Sequence, residues 1–450
     1  MGRLFGTDGA RGIANTELTC ELSMQLGRAA ATVLTKHTNK KPKIIIGRDT
    51  RISSKMLEAA LTAGICSVGA DVELIGVIPT PAVAYLVPKY GADAGIMISA
   101  SHNPVEYNGI KLFSRTGYKL SDEIEDEIEA LIYDETNKIK LKVGIELGRV
   151  YTRKSAVSDY IENIKRSIDT DLTGINVAVD CANGSASQTA DQLFRELGAN
   201  AHIIHSNPNG MNINDKCGST NLEALIFYMK QHSLDIGVAF DGDADRCLAV
   251  DENGNRVDGD QLIAIFAKDL KDSGKLNNDT AVVTVMSNFG MQKFGNDNGI
   301  NIISTAVGDR YVLEEMKKSG YNLGGEESGH IIFSDYAQTG DGQLSAIQLL
   351  RIYKKMGKKM SELSHTMTKS PQVSKGIDAT EKDKDEFLKD EEIIKVIEKV
   401  KSDLGDNGRV LVRASGTEPL IRVMIEGNNF QKINEHCDEI CSKIKERLHK

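Results

Sequence analysis

Three carboxylates at alternate positions, Asp241, Asp243 and Asp245, are separated only by Gly242 and Ala244. Small spacers let one tight loop turn all three side chains toward a single point, where they repel strongly unless a cation neutralises them. Oxygen ligation without histidine or cysteine favours a hard cation, Mg²⁺ ahead of Ca²⁺. The spacing also matches the opening of a calcium EF-hand loop, D-x-D-x-D-G. However, Arg246 stands where that loop needs glycine, and an apolar run, Ile236 to Phe240, precedes it rather than a helix. The same run argues against a plain solvated acidic turn.

Ser101 follows another apolar run, Gly95-Ile96-Met97-Ile98-Ser99-Ala100, and leads into His102-Asn103-Pro104 and then Asn108-Gly109-Ile110-Lys111. An adjacent histidine does not make a hydrolase triad, whose partners meet in space, and no G-x-S-x-G elbow is present. A serine carrying a phosphoryl group beside a tri-aspartate cation loop is the coherent reading. The cation neutralises the phosphoryl charge, and Lys111 and His102 stabilise or shuttle charge during transfer. A third set, Glu326, Glu327, Ser328 and His330 among glycines, suits hydrogen bonding to sugar hydroxyls at close approach, although alone it could be a glycine-rich turn. A fourth, Arg413-Ala414-Ser415-Gly416-Thr417-Glu418-Pro419 with Arg422, forms an anion nest suited to a phosphate. Gly6 to Gly12, containing Arg11, and Gly308-Asp309-Arg310 add two flexible loops.

Something must bring these loops together, and the chain shows a weak internal repetition that can do so. Lys43 to Gly47, Val177 to Asp180 and Ala281 to Val285 are β-branched runs, followed by helix-forming stretches such as Ser54 to Gly64 or Ser187 to Leu197. A second apolar run follows (Val72 to Ile75, Ala201 to Ile204, Ile300 to Ile303), and then a third (Ala94 to Ile98, Ile236 to Phe240, Tyr321 to Leu323). Strand–helix–strand–helix–strand predicts a mostly parallel sheet covered by helices, with strands apolar on both faces. Ligands bind beyond the carboxyl ends of such strands, where the serine, aspartate and glutamate loops all lie. From about Gln372 the pattern changes. A charged helical stretch, Asp383 to Leu404, precedes strands at Arg409 to Arg413 and Leu420 to Ile425 and a final amphipathic helix. Asp378 to Glu392 reads as a solvated linker and helix face.

The fold class expected is therefore α/β: three similar mixed-sheet α/β domains, then a smaller α+β C-terminal domain, arranged around a central cleft. The boundaries are 1–150 (serine loop), 151–255 (metal loop), 256–370 (sugar loop) and 371–450 (phosphate loop). At 450 residues, 40% hydrophobic and 26% charged, the chain exceeds a single core and has ordinary globular composition. A net charge of −9 without a dense basic block argues against nucleic acid or an anionic membrane surface. No apolar run reaches membrane-spanning length, and the first residues lack the layout of a signal peptide. Seven scattered cysteines, Cys437 and Cys441 among them, read as free packing thiols of a cytoplasmic protein.

In order, Ser-His-Asn-Pro (101–104), Asp-Gly-Asp-x-Asp-Arg (241–246), Gly-Glu-x-Ser-Gly-His (325–330) and Arg-x-Ser-Gly-Thr-Glu-Pro (413–419) resemble the signature loops of the α-D-phosphohexomutase superfamily. The resemblance covers essentially the whole chain. Phe5 to Asn15, Asn212 to Thr220 and Val307 to Arg310 are similar to its bacterial amino-sugar branch. It implies an isomerase that converts glucosamine 6-phosphate to glucosamine 1-phosphate by intramolecular phosphotransfer, feeding UDP-N-acetylglucosamine and cell-wall synthesis. Phosphomannomutase/phosphoglucomutase activity is the alternative. Ser101 would be the phosphoserine, primed by a hexosamine or hexose 1,6-bisphosphate. One Mg²⁺ per subunit would be held by Asp241, Asp243, Asp245 and a phosphate oxygen on Ser101. His102, Lys111 and Arg246 would serve the transfer. Arg11, Gly308, Asp309, Arg310, Glu326, Ser328 and His330 would contact the sugar phosphate, and Arg413, Ser415, Gly416, Thr417 and Arg422 would take its non-reacting phosphate. The partner implied is a small sugar phosphate, with no nucleic acid or membrane and a homodimer left open. Two residues depart from the pattern: Ala414 stands where the family usually has proline, and Glu327 where this branch often has glutamine.

Overall fold

Each repeat places its first β-branched run in the interior of a sheet, between its second and third strands. The strands are Lys43–Arg48, Asp71–Val77 and Ala94–Ile98, then Asn176–Asp180, Asn200–Ile204 and Ile236–Phe240, then Thr280–Thr284, Asn301–Thr305 and Leu323–Gly325. In all three sheets the first strand pairs in parallel with both the second and the third. A fourth strand, absent from the sequence reading, then runs antiparallel along the third: Tyr107–Ser114, Cys247–Val250 and Ile331–Phe333. The serine, aspartate and glutamate loops are thus three copies of one connection, joining the third strand to the antiparallel fourth. The computed structural model describes residues 4–6, 8–133, 139–415 and 419–448, apart from the side chain of Glu381. It forms two compact units, Met1–Met286 with Ile300–Thr366, and Ser287–Gly299 with Met367–Lys450.

Burial on both faces explains the unbroken apolar runs. On one face of the first sheet, Ile44, Ile46, Ile96 and Ile98 share a core with Leu26, Leu57 and Leu61 of helices Cys20–Leu34 and Ile52–Ser67. On the other, helix Thr80–Lys89 lies so close that a Cβ on Gly95 would sit 2.4 Å from Val87 and 3.0 Å from Val83. Glycine in mid-strand is what permits that approach.

Several element boundaries differ from expectation for local reasons. Tyr321 stays outside the third run because Gly320, at φ +72°, ends the preceding helix, and the Tyr321 amide caps that helix on Met316 O at 3.0 Å. The helix expected from Ser187 starts at Ala190, after a 3-10 turn over Ser185–Gln188. In the second unit the charged stretch breaks into Glu381–Glu386 and Glu391–Leu404. Asp390 starts the second helix by accepting the Glu392 amide at 2.9 Å. Strand Gln372–Asp378, also unforeseen, pairs with Leu420–Gly427, which pairs in turn with Gly408–Ala414. Helix Phe430–Leu448 contributes Ile433, Cys437, Ile440, Cys441 and Ile444 to this unit's core, so these two thiols pack. All seven cysteines are free. No described helix is long and apolar enough to cross a membrane.

Asp341 begins helix Gly342–Met356 by accepting the Leu344 amide at 2.9 Å. It also accepts the Tyr160 hydroxyl at 2.9 and 3.0 Å on its two oxygens. Burial outweighs these hydrogen bonds and pushes its carboxyl up to about 6. The folded state therefore holds this proton more tightly than the unfolded chain, whose aspartates titrate near ~3.9. The group's contribution to stability falls as pH rises from about 4 to about 6. Asp341→Asn keeps a cap acceptor, so its melting temperature relative to wild type should climb across that window. Parallel melting curves against pH would contradict the assignment.

Candidate active site

The serine loop leaves strand Ala94–Ile98 with Ser101 buried and its backbone at φ +51°, a left-handed conformation uncommon outside glycine. Its hydroxyl donates to Asp241 Oδ2. The loop is tied down on several sides. The Ser101 amide donates to Ser99 Oγ at 3.0 Å. Arg51 donates to the carbonyls of Ser101 at 3.0 Å, of Asn103 at 2.8 Å, and of Pro104. Asn214 Nδ2 donates to Ser101 O at 2.9 Å. The sequence reading missed Arg51, its partner Asp49 and Asn214. A signal was available in Gly47-Arg48-Asp49-Thr50-Arg51, a polar run beyond the carboxyl end of the first strand, where site loops gather.

Asp241, Asp243 and Asp245 are all buried and offer oxygens within 4.8 Å of one another. Burial, followed by the charges of Asp245 and Asp243, drives the Asp241 carboxyl well above its ordinary range, the expected symptom of crowded carboxylates. Thr80, at the start of helix Thr80–Lys89, steadies the loop: its hydroxyl donates to Asp243 Oδ2 at 2.5 Å and its amide to Asp243 O at 2.9 Å. Among the described residues, Asp243 Oδ1 and Asp245 Oδ1 are buried without a hydrogen-bond partner. Buried anionic oxygens left without donors fit a hard cation, so the residues present suit Mg²⁺.

Lys111, on the antiparallel strand Tyr107–Ser114, inserts a buried ammonium beside this cluster. Its Nζ lies 2.8 Å from Asp243, 3.3 Å from Asp245 and 3.0 Å from Asp8. Burial alone would weaken its basicity, but Asp243, Asp8 and Asp245 outweigh burial and raise it well above the usual lysine range. Burial likewise opposes charge on Asp8, yet Lys111, Lys119 and Arg11 hold its carboxyl well below normal. Lys119 continues the network at 2.5 Å to both Asp8 and Asp309. His330 lies 3.7 Å from Asp245 and 3.4 Å from Asp309. The Gly340 amide donates to its Nε2 at 3.1 Å, which places the ring proton on Nδ1, facing Asp245.

His102 Nδ1 lies 3.4 Å from Ser101 Oγ. Arg246 donates to its Nδ1 at 3.0 Å. Burial first, then the charges of Arg246 and Arg11, lower its pKa to about 4. The imidazole is therefore neutral at pH 7. Arg11 pairs with Asp8.

In the glutamate loop, the Glu326 amide donates to His330 O at 3.0 Å, and Gly329, at φ +91°, closes the turn back onto Glu326 O at 3.0 Å. Burial raises the Glu326 carboxyl. Ser328 Oγ is out of solvent with no partner among the described residues, as a group awaiting a ligand hydroxyl would be. Gly308 adopts φ +129° ahead of helix Asp309–Ser319. Arg310 engages Asp122 through Nη1 at 2.7 Å and Glu314 through Nε at 3.0 Å.

In the second unit, Arg413 and Arg422 lie directly opposite one another on paired antiparallel strands. The Ser415 amide donates to Leu420 O at 2.8 Å. Gly416 and Thr417 fall outside the described residues.

Comparison with known proteins agrees with the fold. The chain matches phosphoglucomutase/phosphomannomutase alpha/beta/alpha domain I over residues 2–139, domain II over 158–254, domain III over 258–370 and the C-terminal domain over 377–443. It belongs to this family and is a phosphohexomutase, an isomerase acting by intramolecular phosphotransfer. It is 54% identical over 447 residues to a protein of Clostridium novyi (99% of each chain) and 53% identical over 448 residues to one of Acetivibrio thermocellus (100% of each). Both are named phosphoglucosamine mutase. Among solved structures, a phosphoglucomutase/phosphomannomutase family protein of Burkholderia thailandensis superposes with TM-score 0.81 at 23% identity, covering 99% of this chain and 97% of that one. The N-acetylphosphoglucosamine mutase of Aspergillus fumigatus, solved with GlcNAc-6P and magnesium, gives 0.69 at 18% identity, covering 99% and 96%.

If the unpartnered aspartate oxygens take a cation, Mg²⁺ binds the folded state selectively and stabilises it by mass action, by about 2.7 kcal/mol at a hundredfold excess over Kd. Thermal melts should shift up by a few degrees in millimolar Mg²⁺ (~2–4 °C per kcal/mol in a large domain). The shift should shrink or vanish in Asp243→Asn and Asp245→Asn. An equal shift in these variants would place the cation elsewhere.

Proposed function

We propose that the chain interconverts glucosamine 6-phosphate and glucosamine 1-phosphate, with Ser101 as phosphoryl carrier and a 1,6-bisphosphate as intermediate. The observation that carries this reading is the Ser101 hydroxyl, buried at the mouth of a strand and bonded to Asp241 in a tri-aspartate loop that Lys111 flanks. Identity above 50% along the full length to proteins named phosphoglucosamine mutase supports the amino sugar. The alternative, a phosphomannomutase/phosphoglucomutase, draws on structural likeness at 23% identity, which speaks for the fold alone.

In the forward half-reaction a sugar hydroxyl attacks the phosphorus on Ser101. The new O–P bond forms on the sugar and the bond to Oγ breaks. The sugar hydroxyl loses a proton and Oγ ends as a hydroxyl, so the proton count balances. The bisphosphate then turns over and returns its other phosphoryl group to Ser101. Asp241, Asp243, Asp245 and a phosphate oxygen on Ser101 would hold one Mg²⁺ per subunit, which when bound neutralises charge on the phosphoryl oxygens. Lys111 and Arg246 supply fixed positive charge at the transfer site, while Glu326 and Ser328 grip sugar hydroxyls. Arg413 and Arg422, with Ser415 and Thr417, would clamp whichever phosphate is not reacting. A hexosamine or hexose 1,6-bisphosphate would prime the serine. Seven free thiols fit work in a reducing cytoplasm.

Ser101→Ala should lower isomerisation by about a thousandfold or more, because the covalent route is lost. A coupled assay that retains turnover in this variant would sink the carrier role. In the same assay, glucosamine 1-phosphate should be used in preference to glucose 1-phosphate and mannose 1-phosphate. A preference for mannose 1-phosphate would favour the alternative.

A further inference from the structure

The serine loop adopts a conformation that serine does not choose by itself, and a buried ion pair from the preceding strand end holds it there. Asp49 and Arg51 are 0% and 1% exposed, and Arg51 Nε donates to Asp49 Oδ2 at 2.9 Å. The rest of the guanidinium is directed at one target: Nη2 donates to Ser101 O at 3.0 Å and Asn103 O at 2.8 Å, and Nη1 to Pro104 O. Asp49 in turn accepts the Ser54 hydroxyl and the Ser99 hydroxyl, each at 2.7 Å. Ser99 Oγ then receives the Ser101 amide at 3.0 Å. The amide before the Ser101 side chain and the carbonyl after it are therefore both fixed through one Asp–Arg pair.

A non-glycine residue at φ +51° persists only where surrounding contacts over-determine it. Rotation about this backbone decides where Oγ points, and here it points at Asp241. We propose that Asp49 and Arg51 are positioning residues for phosphoryl transfer, setting the Ser101 backbone so that its phosphoryl group meets the aspartate loop. Neither belongs among the reacting atoms, and both act through Ser101. A planar fork with several donors can reach three carbonyls at once, whereas a lysine ammonium cannot, so Arg51→Lys is a disruptive change despite conserved charge. The proposal rests on the reading of Ser101 as carrier.

The test measures kcat, KM and the rate of Ser101 phosphorylation by glucose 1,6-bisphosphate (from intact mass) in wild type, Arg51→Lys and Ser99→Ala. Misplacement of a reacting group by an ångström costs about a hundredfold. Arg51→Lys should therefore lower kcat and the phosphorylation rate together by about that factor, with KM within about threefold. Ser99→Ala removes one hydroxyl from the same chain of bonds and should lower both by roughly tenfold. A folded Arg51→Lys with wild-type kcat overturns the proposal, as does a raised KM with kcat retained, which a merely loosened fold would give. Should Arg51→Lys not fold, wild-type kcat in Ser99→Ala overturns it instead. If wild type itself gains no phosphate on Ser101, the carrier assignment fails, an outcome distinct from normal phosphorylation in every variant.

Discussion

A ring of paired polar groups through Lys111 is the constraint on which the rest of the first unit depends. From Asp245 the ring passes to Lys111 at 3.3 Å, to Asp8 at 3.0 Å, to Lys119 at 2.5 Å and to Asp309 at 2.5 Å. It closes through His330, 3.4 Å from Asp309 and 3.7 Å from Asp245. Its members come from the turn between the first two strands of the chain, from strand Tyr107–Ser114 and the segment after it, and from the connections of the second and third repeats. A buried ammonium without partners would cost several kcal/mol, and removing one partner of a buried pair costs about 3–5 kcal/mol. The three sheets are therefore fixed relative to one another by charge pairing at the very loops that do the chemistry.

The same arrangement prepares the site for two ligands of opposite sign. Asp241, Asp243 and Asp245 are more carboxylate than Lys111 neutralises, which leaves Asp243 Oδ1 and Asp245 Oδ1 without donors. Arg246 and Arg11 stand near His102 on the serine side, where their charge helps keep that imidazole neutral. In the proposed reading, a cation on one side and a phosphoryl group on the other would complete the balance. Preorganised charge of this kind acts where charge develops and needs no rearrangement at the moment of transfer.

Much of this was legible in the sequence because the informative signals are local. Continuous apolar runs followed by polar loops gave three βαβαβ units, and D-x-D-x-D gave the buried carboxylate cluster. Two of the antiparallel fourth strands, Cys247–Val250 and Ile331–Phe333, escaped notice because they are only four and three residues long, too short for a periodicity to emerge. Tyr107–Ser114, by contrast, has eight residues and was passed over because its residues were read only as part of the serine loop. Asp8 and Lys119 were not singled out because their meaning lies in pairing across 111 residues of chain. Arg51 was overlooked for a related reason. An arginine next to a turn looks like a surface charge until its three carbonyl partners are seen. Likewise, that Arg310 pairs with Asp122 and Glu314 could not be read from the spacing of its motif.

The central claim is that phosphate resides on a serine hydroxyl and passes to sugar. It is tested most directly by labelling the protein with ³²P-glucose 1,6-bisphosphate and mapping the label by peptide and chemical stability. The account predicts a single label on the peptide containing Ser101, stable to hydroxylamine as a phosphoserine is, and chased into sugar bisphosphate by unlabelled glucosamine 6-phosphate. A hydroxylamine-labile label on the peptide carrying Asp241 to Asp245, released as inorganic phosphate, would contradict it.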